Sequence, residues 1–239
     1  MNQTQAGRLL EEHDPCIDLM VAGERLICDW SGCLYWPDQN TLVVSDMHLE
    51  KGSSFAARGK LIPPHDTAAT LSRLAIRLAV WQPERVICLG DSFHDPVAHE
   101  RLSQRDGEKL ARLMTGREWF WICGNHDPAP PTGLGGTGAR EMMLGNLVFR
   151  HEPQPGNQVG EIAGHLHPCG KVFRRSKSVR RPCFVTDGTR LILPSFGAYT
   201  GGLNLRSEAF SGMFDEAHLS AVLLGRQRVF HISANNLVA

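Results

Sequence analysis

The sequence predicts an α/β fold in which two packed mixed β-sheets are flanked by helices, four layers in all, as a single domain over residues 1–239. Three observations predict it. Short apolar runs at 42–44, 86–89, 119–123 and 147–149 each lead into a cluster of Asp, Asn or His. Stretches of helical periodicity lie between the runs. After residue 167 the pattern changes to strands alone.

In chain order, residues 19–36 read as irregular strands, with Ser31-Gly32 as a hairpin turn. From 66 to 81, Leu71, Leu74, Ala75 and Leu78 recur at helical spacing while Arg73 and Arg77 face elsewhere, and Pro83 marks the stop. A shorter helical pattern covers 108–114. Strands are expected at 171–175, 183–186 and 190–193, with Asp187-Gly188 as a strong hairpin signal between the last two. No internal repeat or linker interrupts the chain.

Composition sets limits. The hydrophobic fraction is 42% and the formal net charge is zero, an ordinary globular balance that lacks the electrostatic footprint of an extended duplex binder. The first fourteen residues are polar and do not resemble a signal peptide, and no run approaches a membrane span. The seven cysteines have no CxxC spacing and an odd count, which argues against a disulfide framework. Cys88 and Cys123 fall within apolar runs and read as small buried hydrophobes. A reduced, cytoplasmic protein is expected.

The chemistry lies in five islands: Ser45-Asp46-Met47-His48, Gly90-Asp91, Gly124-Asn125-His126-Asp127, His151, and Gly164-His165-Leu166-His167. Strands deliver their carboxyl ends to a common sheet edge, so donors arriving this way converge. Asp46 and His48 are two apart and, at a strand end, would project to one side; His165 and His167 repeat the spacing. Asp91 directly follows its strand and is the natural bridge between two cations. Two cations about 3.5–4 Å apart, sharing a carboxylate and a hydroxide, can drive in-line attack on phosphorus. Imidazole, carboxylate and amide donors without thiolate suit manganese, iron or zinc better than copper, and manganese is the expected metal, with iron or zinc as alternatives.

Together the islands follow the DxH, GD, GNH[DE], H, GHxH order of the calcineurin-like metallophosphoesterases, and the chain resembles that superfamily from Asp46 to His167. Ser45 to Gly52 with Phe55 and Arg58-Gly59, then Gly90 to Asp95, and Pro194 to Gly202 resemble one bacterial branch more closely, the ligase-associated DNA damage response endonucleases. The resemblance implies a four-layer metallophosphoesterase sandwich and a metal-dependent phosphodiesterase associated with DNA repair, with a DNA ligase and a helicase as functional neighbours. It also implies one metal site from Asp46, His48, Asp91 and His167 and another from Asp91, Asn125, His151 and His165. His151 departs from the usual Gly-His form, but no other His lies between Asp127 and His165.

Around this centre, His126 is the candidate general acid for a sugar alkoxide, a poor leaving group. His94 follows Asp91 in a Gly-Asp-x-Phe-His arrangement also found in double-strand-break repair nucleases of the superfamily, where the His orients the scissile phosphate; a supporting role beside the metals is the alternative. Lys51 and Arg58 are candidates for non-bridging phosphate oxygens, or else surface charges. The basic run of Lys171, Arg174, Arg175, Lys177, Arg180 and Arg181 reads equally as a nucleic-acid contact or as protection of a sheet edge. The expected function is hydrolysis of phosphodiesters in nucleic acid or small nucleotides. A phosphomonoesterase, a nucleotide pyrophosphatase and a non-catalytic repair scaffold are the competitors.

Two patterns are set aside. Residues 133–138 satisfy GxGxxG but follow prolines rather than a strand, so a loop near the site is expected instead of a dinucleotide cradle. His13, His218 and His231 read as ordinary histidines.

Overall fold

The computed structural model describes residues 15–60, 62–174 and 177–238. Its first sheet has seven strands in chain order: β1 (Cys16–Val21), β2 (Glu24–Asp29), β3 (Leu34–Trp36), β4 (Thr41–Val44), β5 (Arg85–Leu89), β6 (Glu118–Ile122) and β7 (Thr137–Ala139). The first four are antiparallel and β4 to β7 are parallel. The second sheet comprises β8 (Glu141–Leu144), β9 (Leu147–Arg150), β10 (Glu161–Ala163), β11 (Pro168–Arg174), β12 (Lys177–Thr186), β13 (Leu191–Ile192), β14 (Leu203–Asn204), β15 (Ser220–Leu224) and β16 (Val229–Ser233). Its main path runs β14-β11-β12-β13-β10-β9-β8, and β15 and β16 extend from β12. Both sheets are mixed.

Alternation along the strands builds three cores. Val43, Ile87, Leu89 and Ile122 point inward from the first sheet and meet Phe149, Ile162, Phe184 and Val222 from the second. Their neighbours Leu42, Val44, Val86, Cys88, Trp119 and Trp121 face the other way, under α2 (Asp66–Trp81) and α3 (Gln104–Met114). Strands buried on both faces read as continuous apolar runs, which is why β4, β5 and β6 are so plain in the sequence. The outer face of the second sheet is covered by Leu205, Phe210, Leu219 and Leu237 from irregular segments. Among the described residues the two long helices, α2 and α3, therefore lie over the first sheet, and only single 3-10 turns lie over the second.

Several local outcomes differ from the expectations. Ser31-Gly32 turns β2 into β3 as expected, and a further hairpin, β1–β2, turns on Ala22 and Gly23, both at positive φ, as a two-residue turn that follows strand twist requires. Helix α3 begins four residues early because the Ser103 hydroxyl accepts the Asp106 N–H at 3.1 Å, an N-cap that satisfies an otherwise orphan donor. A further helix, α1 (Lys51–Ala57), lacked an apolar stripe to reveal it. Cys123 lies just past β6 and is only half-buried, so it is not the core residue expected; Cys88 is. The basic run continues the hairpin as strand through residues 177–182, because the cross-strand ladder extends past the apolar stretch. Among the described residues no two cysteines are joined by a disulfide. Among the described residues no helix is long and apolar enough to cross a membrane.

Candidate metal centre

Five strand ends supply the site. Asp46 and His48 follow β4, Asp91 follows β5, Asn125 and His126 follow β6, His151 follows β9, and His165 and His167 follow β10. Strands β4, β5 and β6 are mutually parallel, as are β9 and β10, so these loops gather at one edge of the paired sheets. β10 escaped the sequence reading because it is three residues long and opens on Glu161, whose charge is buried against Arg190.

The backbone at the site is not an extension of the strands. Asp46, His48, Asp91, His165 and His167 all have φ between 44° and 65°. The two-residue spacing of Asp46 and His48 therefore converges through alternate left-handed residues, not through strand pleat. His165 and His167 do not project to one side: His165 groups with Asp91 and His151, whereas His167 groups with Asp46 and His48. Non-glycine residues held in this region cost of order 1–3 kcal/mol each and collect at functional sites.

Close approach explains two of the motif glycines. A Cβ on Gly164 would lie 1.8 Å from Ser45 Oγ and 2.6 Å from Asp46 Oδ2, and one on Gly124 would lie 2.2 Å from Asp91 Oδ1. The late stretch packs beneath the first motif. Phe196 N–H donates to the Ser45 carbonyl at 2.8 Å, Gly197 N–H to the Asp46 carbonyl at 3.0 Å, and Ser195 Oγ to the same carbonyl at 2.8 Å.

The donors fit divalent cations. Asp46 Oδ2 accepts the Ser45 hydroxyl at 2.5 Å and the His165 N–H at 3.0 Å. Its Oδ1 is buried without a hydrogen bond, though it stands 3.0 Å from His167 Nε2. An unpaired buried carboxylate oxygen is costly unless a positive partner faces it. His151 Nδ1 donates to the Leu89 carbonyl at 2.8 Å and His167 Nδ1 to the Gly201 carbonyl at 3.1 Å. A carbonyl only accepts, so the proton sits on Nδ1 and each Nε2 lone pair is turned to the centre. Asn125 Oδ1 is 3.0 Å from His151 Nε2 and 2.9 Å from His165 Nδ1. Asp91 Oδ2 lies 3.4 Å from His151 Nε2 and 3.9 Å from His48 Nε2, between the two groups. His48 Nε2 and His167 Nε2 are 3.4 Å apart.

The charged groups of the centre also act on one another. Burial would raise the Asp46 carboxyl, but His167, His151 and His48 hold it at about 2. Burial would depress His151, yet its bond to Asp91 and the charges of Asp46 and Asp91 raise it to about 9; a cation facing Nε2 would displace that proton, since an imidazole ligates only when deprotonated. Burial drives His48 down to about 3, and burial followed by the charge of Lys51 takes His94 to about 4.

His94 and His126 stack with ring centroids 5.0 Å apart, and both rings pack against His48. His126 Nδ1 donates to the His94 carbonyl at 2.8 Å and its half-exposed Nε2 stands 4.0 Å from Asp91 Oδ2. Lys51 opens α1 with its ammonium 6.0 Å above the Phe55 ring, which is 5.7 Å from the His94 ring; Arg58 ends that helix, exposed. Both cations act on the His94 imidazole.

Ser45, Asp127 and Ser195 support the centre; they lie inside the motifs, but the sequence assigns them no role. Single hydroxyls and a carboxylate that is not itself a ligand carry no signal of what they bind until the loops are folded together. Residues 133–136 form a loop whose Gly135 carbonyl accepts the Trp121 indole N–H at 2.9 Å, before β7 joins the sheet. His218 and His231 are exposed, and His13 lies outside the described residues. Arg175, from the basic run, does so too.

A double-sheet sandwich gathering histidines, carboxylates and an amide at one edge defines a metal-dependent phosphoesterase. The model for the calcineurin-like phosphoesterases matches residues 40–193, and the chain belongs to that family. The crystal structure of the nuclease MPE from Pseudomonas putida is similar to it at 29% identity, covering 90% of this chain and 100% of that one, with a TM-score of 0.69. The phosphoesterase Yfce from E. coli is similar at 15% identity, covering 81% of this chain and 98% of that one, with a TM-score of 0.38. No curated protein sequence matches the chain.

Proposed function

We propose that the chain is a two-cation phosphodiesterase acting on nucleic acid or nucleotide diesters. The observation that carries this reading is the position of Asp91, whose carboxylate lies between the Asp46–His48–His167 group and the His151–His165 group. Asp46, His48, Asp91 and His167 would hold one cation, and Asp91, Asn125, His151 and His165 the other. When bound, divalent cations stabilise charge on the phosphoryl oxygens and make a water-derived nucleophile available near neutral pH. Imidazoles mixed with carboxylate and amide oxygens, and no thiolate, suit manganese, iron or zinc, and manganese is the metal to test first.

The chain's own residues position and protonate. Ser45 and the His165 amide occupy one Asp46 oxygen and leave the other turned inward. The Leu89 and Gly201 carbonyls hold His151 and His167 in the tautomer that offers Nε2. His126, anchored through Nδ1 on the His94 carbonyl, carries a proton on Nε2 to the leaving alkoxide. His94, with Lys51 and Arg58 beyond it, orients the scissile phosphate by its non-bridging oxygens. The likeness to the Pseudomonas putida nuclease supports nucleic acid as the substrate class. The Ser45–Gly59, Gly90–Asp95 and Pro194–Gly202 motifs support a place in DNA repair beside a ligase and a helicase. Cysteines without disulfides fit a cytoplasmic setting.

The test compares catalytic efficiency, with manganese, on bis-nitrophenyl phosphate, nitrophenyl phosphate, a cyclic nucleotide, single-stranded DNA and nicked duplex. Diesters should be turned over far better than the monoester. A preference for the monoester would replace this reading with a phosphomonoesterase.

A further inference from the structure

We propose that the outward face of the β11–β12 hairpin is a binding track for a nucleic-acid strand with unpaired bases, leading away from His167. The proposal rests on the nucleic-acid reading above and assigns a surface to it.

A cleft of about 270 Å³ opens beside His167 and is lined by Cys169, Arg180, Pro182, Thr200 and Gly202 among others. The strand register continues this surface outward. Cys169 pairs with Pro182, Lys171 with Arg180, and Phe173 with Ser178. Directly opposed residues share a face of an antiparallel pair, as do residues two apart on one strand. Cys169, Lys171 and Phe173 therefore line up with Pro182, Arg180 and Ser178 on one side, spanning roughly 13 Å from Cys169 to Phe173. Gly170 and Val172 occupy the other side. Val172 packs into the core beneath the sheet, and a Cβ on Gly170 would meet Leu223 at 2.9 Å. The Lys171–Phe173 face consequently looks outward.

Its chemistry suits a single strand. Phe173 is 66% exposed. Arg180 is exposed and donates to the Gly202 carbonyl, which holds its guanidinium at the cleft. Cations on a sheet edge are explained by protection against edge pairing, but an exposed aromatic ring on that edge invites association. Protection thus accounts for Lys171 and Arg180 and leaves Phe173 without a reason. A ring beside two cations, in line with a phosphoesterase centre, is the arrangement on which bases stack while the backbone is neutralised. Duplex DNA keeps its bases stacked internally and offers the ring nothing. The zero formal net charge of the chain agrees with a short local track in place of an extended duplex surface.

The experiment measures binding of a fluorescein-labelled single strand, and of the same sequence as duplex, by anisotropy on the metal-loaded full chain. The same variants are assayed for turnover of the strand and of bis-nitrophenyl phosphate. Phe173→Ala should weaken single-strand binding by about five- to 100-fold with little effect on duplex. Phe173→Leu, which keeps the apolar bulk and removes the π-face, should behave like alanine. Lys171→Ala should lower the salt dependence of single-strand binding by about 0.7 in the log–log slope; Arg180→Ala tests the same point nearer the cleft. Metal content and melting temperature confirm that each variant is folded and loaded. Unchanged single-strand affinity in Phe173→Ala and Lys171→Ala, while the unmodified chain still cleaves the strand, overturns the track alone. Equal losses on the strand and on bis-nitrophenyl phosphate also overturn it, because the small ester does not reach along the hairpin. A chain that hydrolyses bis-nitrophenyl phosphate but neither binds nor cleaves any strand overturns the track together with the nucleic-acid reading.

Discussion

The Asp127 carboxylate accepts the Phe93 backbone N–H at 3.1 Å through one oxygen and the Gly124 N–H at 3.1 Å through the other. It thereby ties the loop after β5, which carries Asp91 and His94, to the loop after β6, which carries Asn125 and His126. The carboxyl is buried, and that burial, with Asp91 nearby, raises it to about 7.

Removing this tie should loosen both loops. Asp127→Ala leaves the buried Phe93 amide without an acceptor, worth about 1–3 kcal/mol, while Gly124 N–H keeps only the Asp127 backbone carbonyl at 3.2 Å, so the melting temperature should fall and metal content with it. Asp127→Asn keeps an acceptor of the same shape and should lose less. An alanine variant with unchanged melting temperature and metal content would show that the loops hold themselves.

Asp91→Ala should empty both metal positions and abolish turnover if its carboxylate, which groups with His151 and His165 and lies 3.9 Å from His48 Nε2, is shared by the two cations as proposed. Asp46→Ala should deplete one position more than the other. Elemental analysis after extensive dialysis reads both outcomes, and two full equivalents retained by Asp91→Ala would end the shared-ligand assignment.

Protein stripped with a chelator should regain activity with manganese much more than with magnesium. Magnesium favours all-oxygen ligation and keeps several waters, whereas His48, His151, His165 and His167 surround this centre. Saturable turnover with magnesium alone, at a rate matching manganese, contradicts the ligand set.

The role of His126 should scale with the leaving group. Nitrophenolate departs without help, so His126→Ala should keep appreciable activity on bis-nitrophenyl phosphate. On a cyclic nucleotide or DNA the loss should reach about 100- to 10,000-fold, with both metals retained. His94→Ala should reduce both diesters by similar factors, because orienting the phosphate matters whatever leaves. Equal losses for His126→Ala on the two substrates would remove the proton-donor role.

Gly164→Ala should be among the most damaging small changes. Its Cβ would collide with Ser45 Oγ at 1.8 Å and displace the hydroxyl that holds Asp46 Oδ2. Turnover and metal content should both drop, and an unperturbed Gly164→Ala enzyme would mean that the two loops separate easily.

What the sequence determined by itself was the chemistry and the frame around it. β4, β5 and β6 are buried on both faces, so their apolar runs are continuous, and each ends beside its donors, so the islands at Asp46, Asp91 and Asn125 were legible in one dimension. The Asp66–Trp81 helix was equally clear, because one apolar stripe faces a core along its whole length. Tertiary structure alone decided how the donors divide. His165 and His167 share both the spacing and the left-handed backbone of Asp46 and His48, yet they part to different groups, because the loops packed around them and not their own backbone decide which donors each one meets. The same holds for Ser45, Asp127 and Ser195, which act through hydrogen bonds to loops distant in the chain, and for Phe173, whose exposure depends on which face of the hairpin the core claims. Periodicity records which side of an element is buried; it carries no record of which loop will stand opposite, because that is set by the packing of the two sheets.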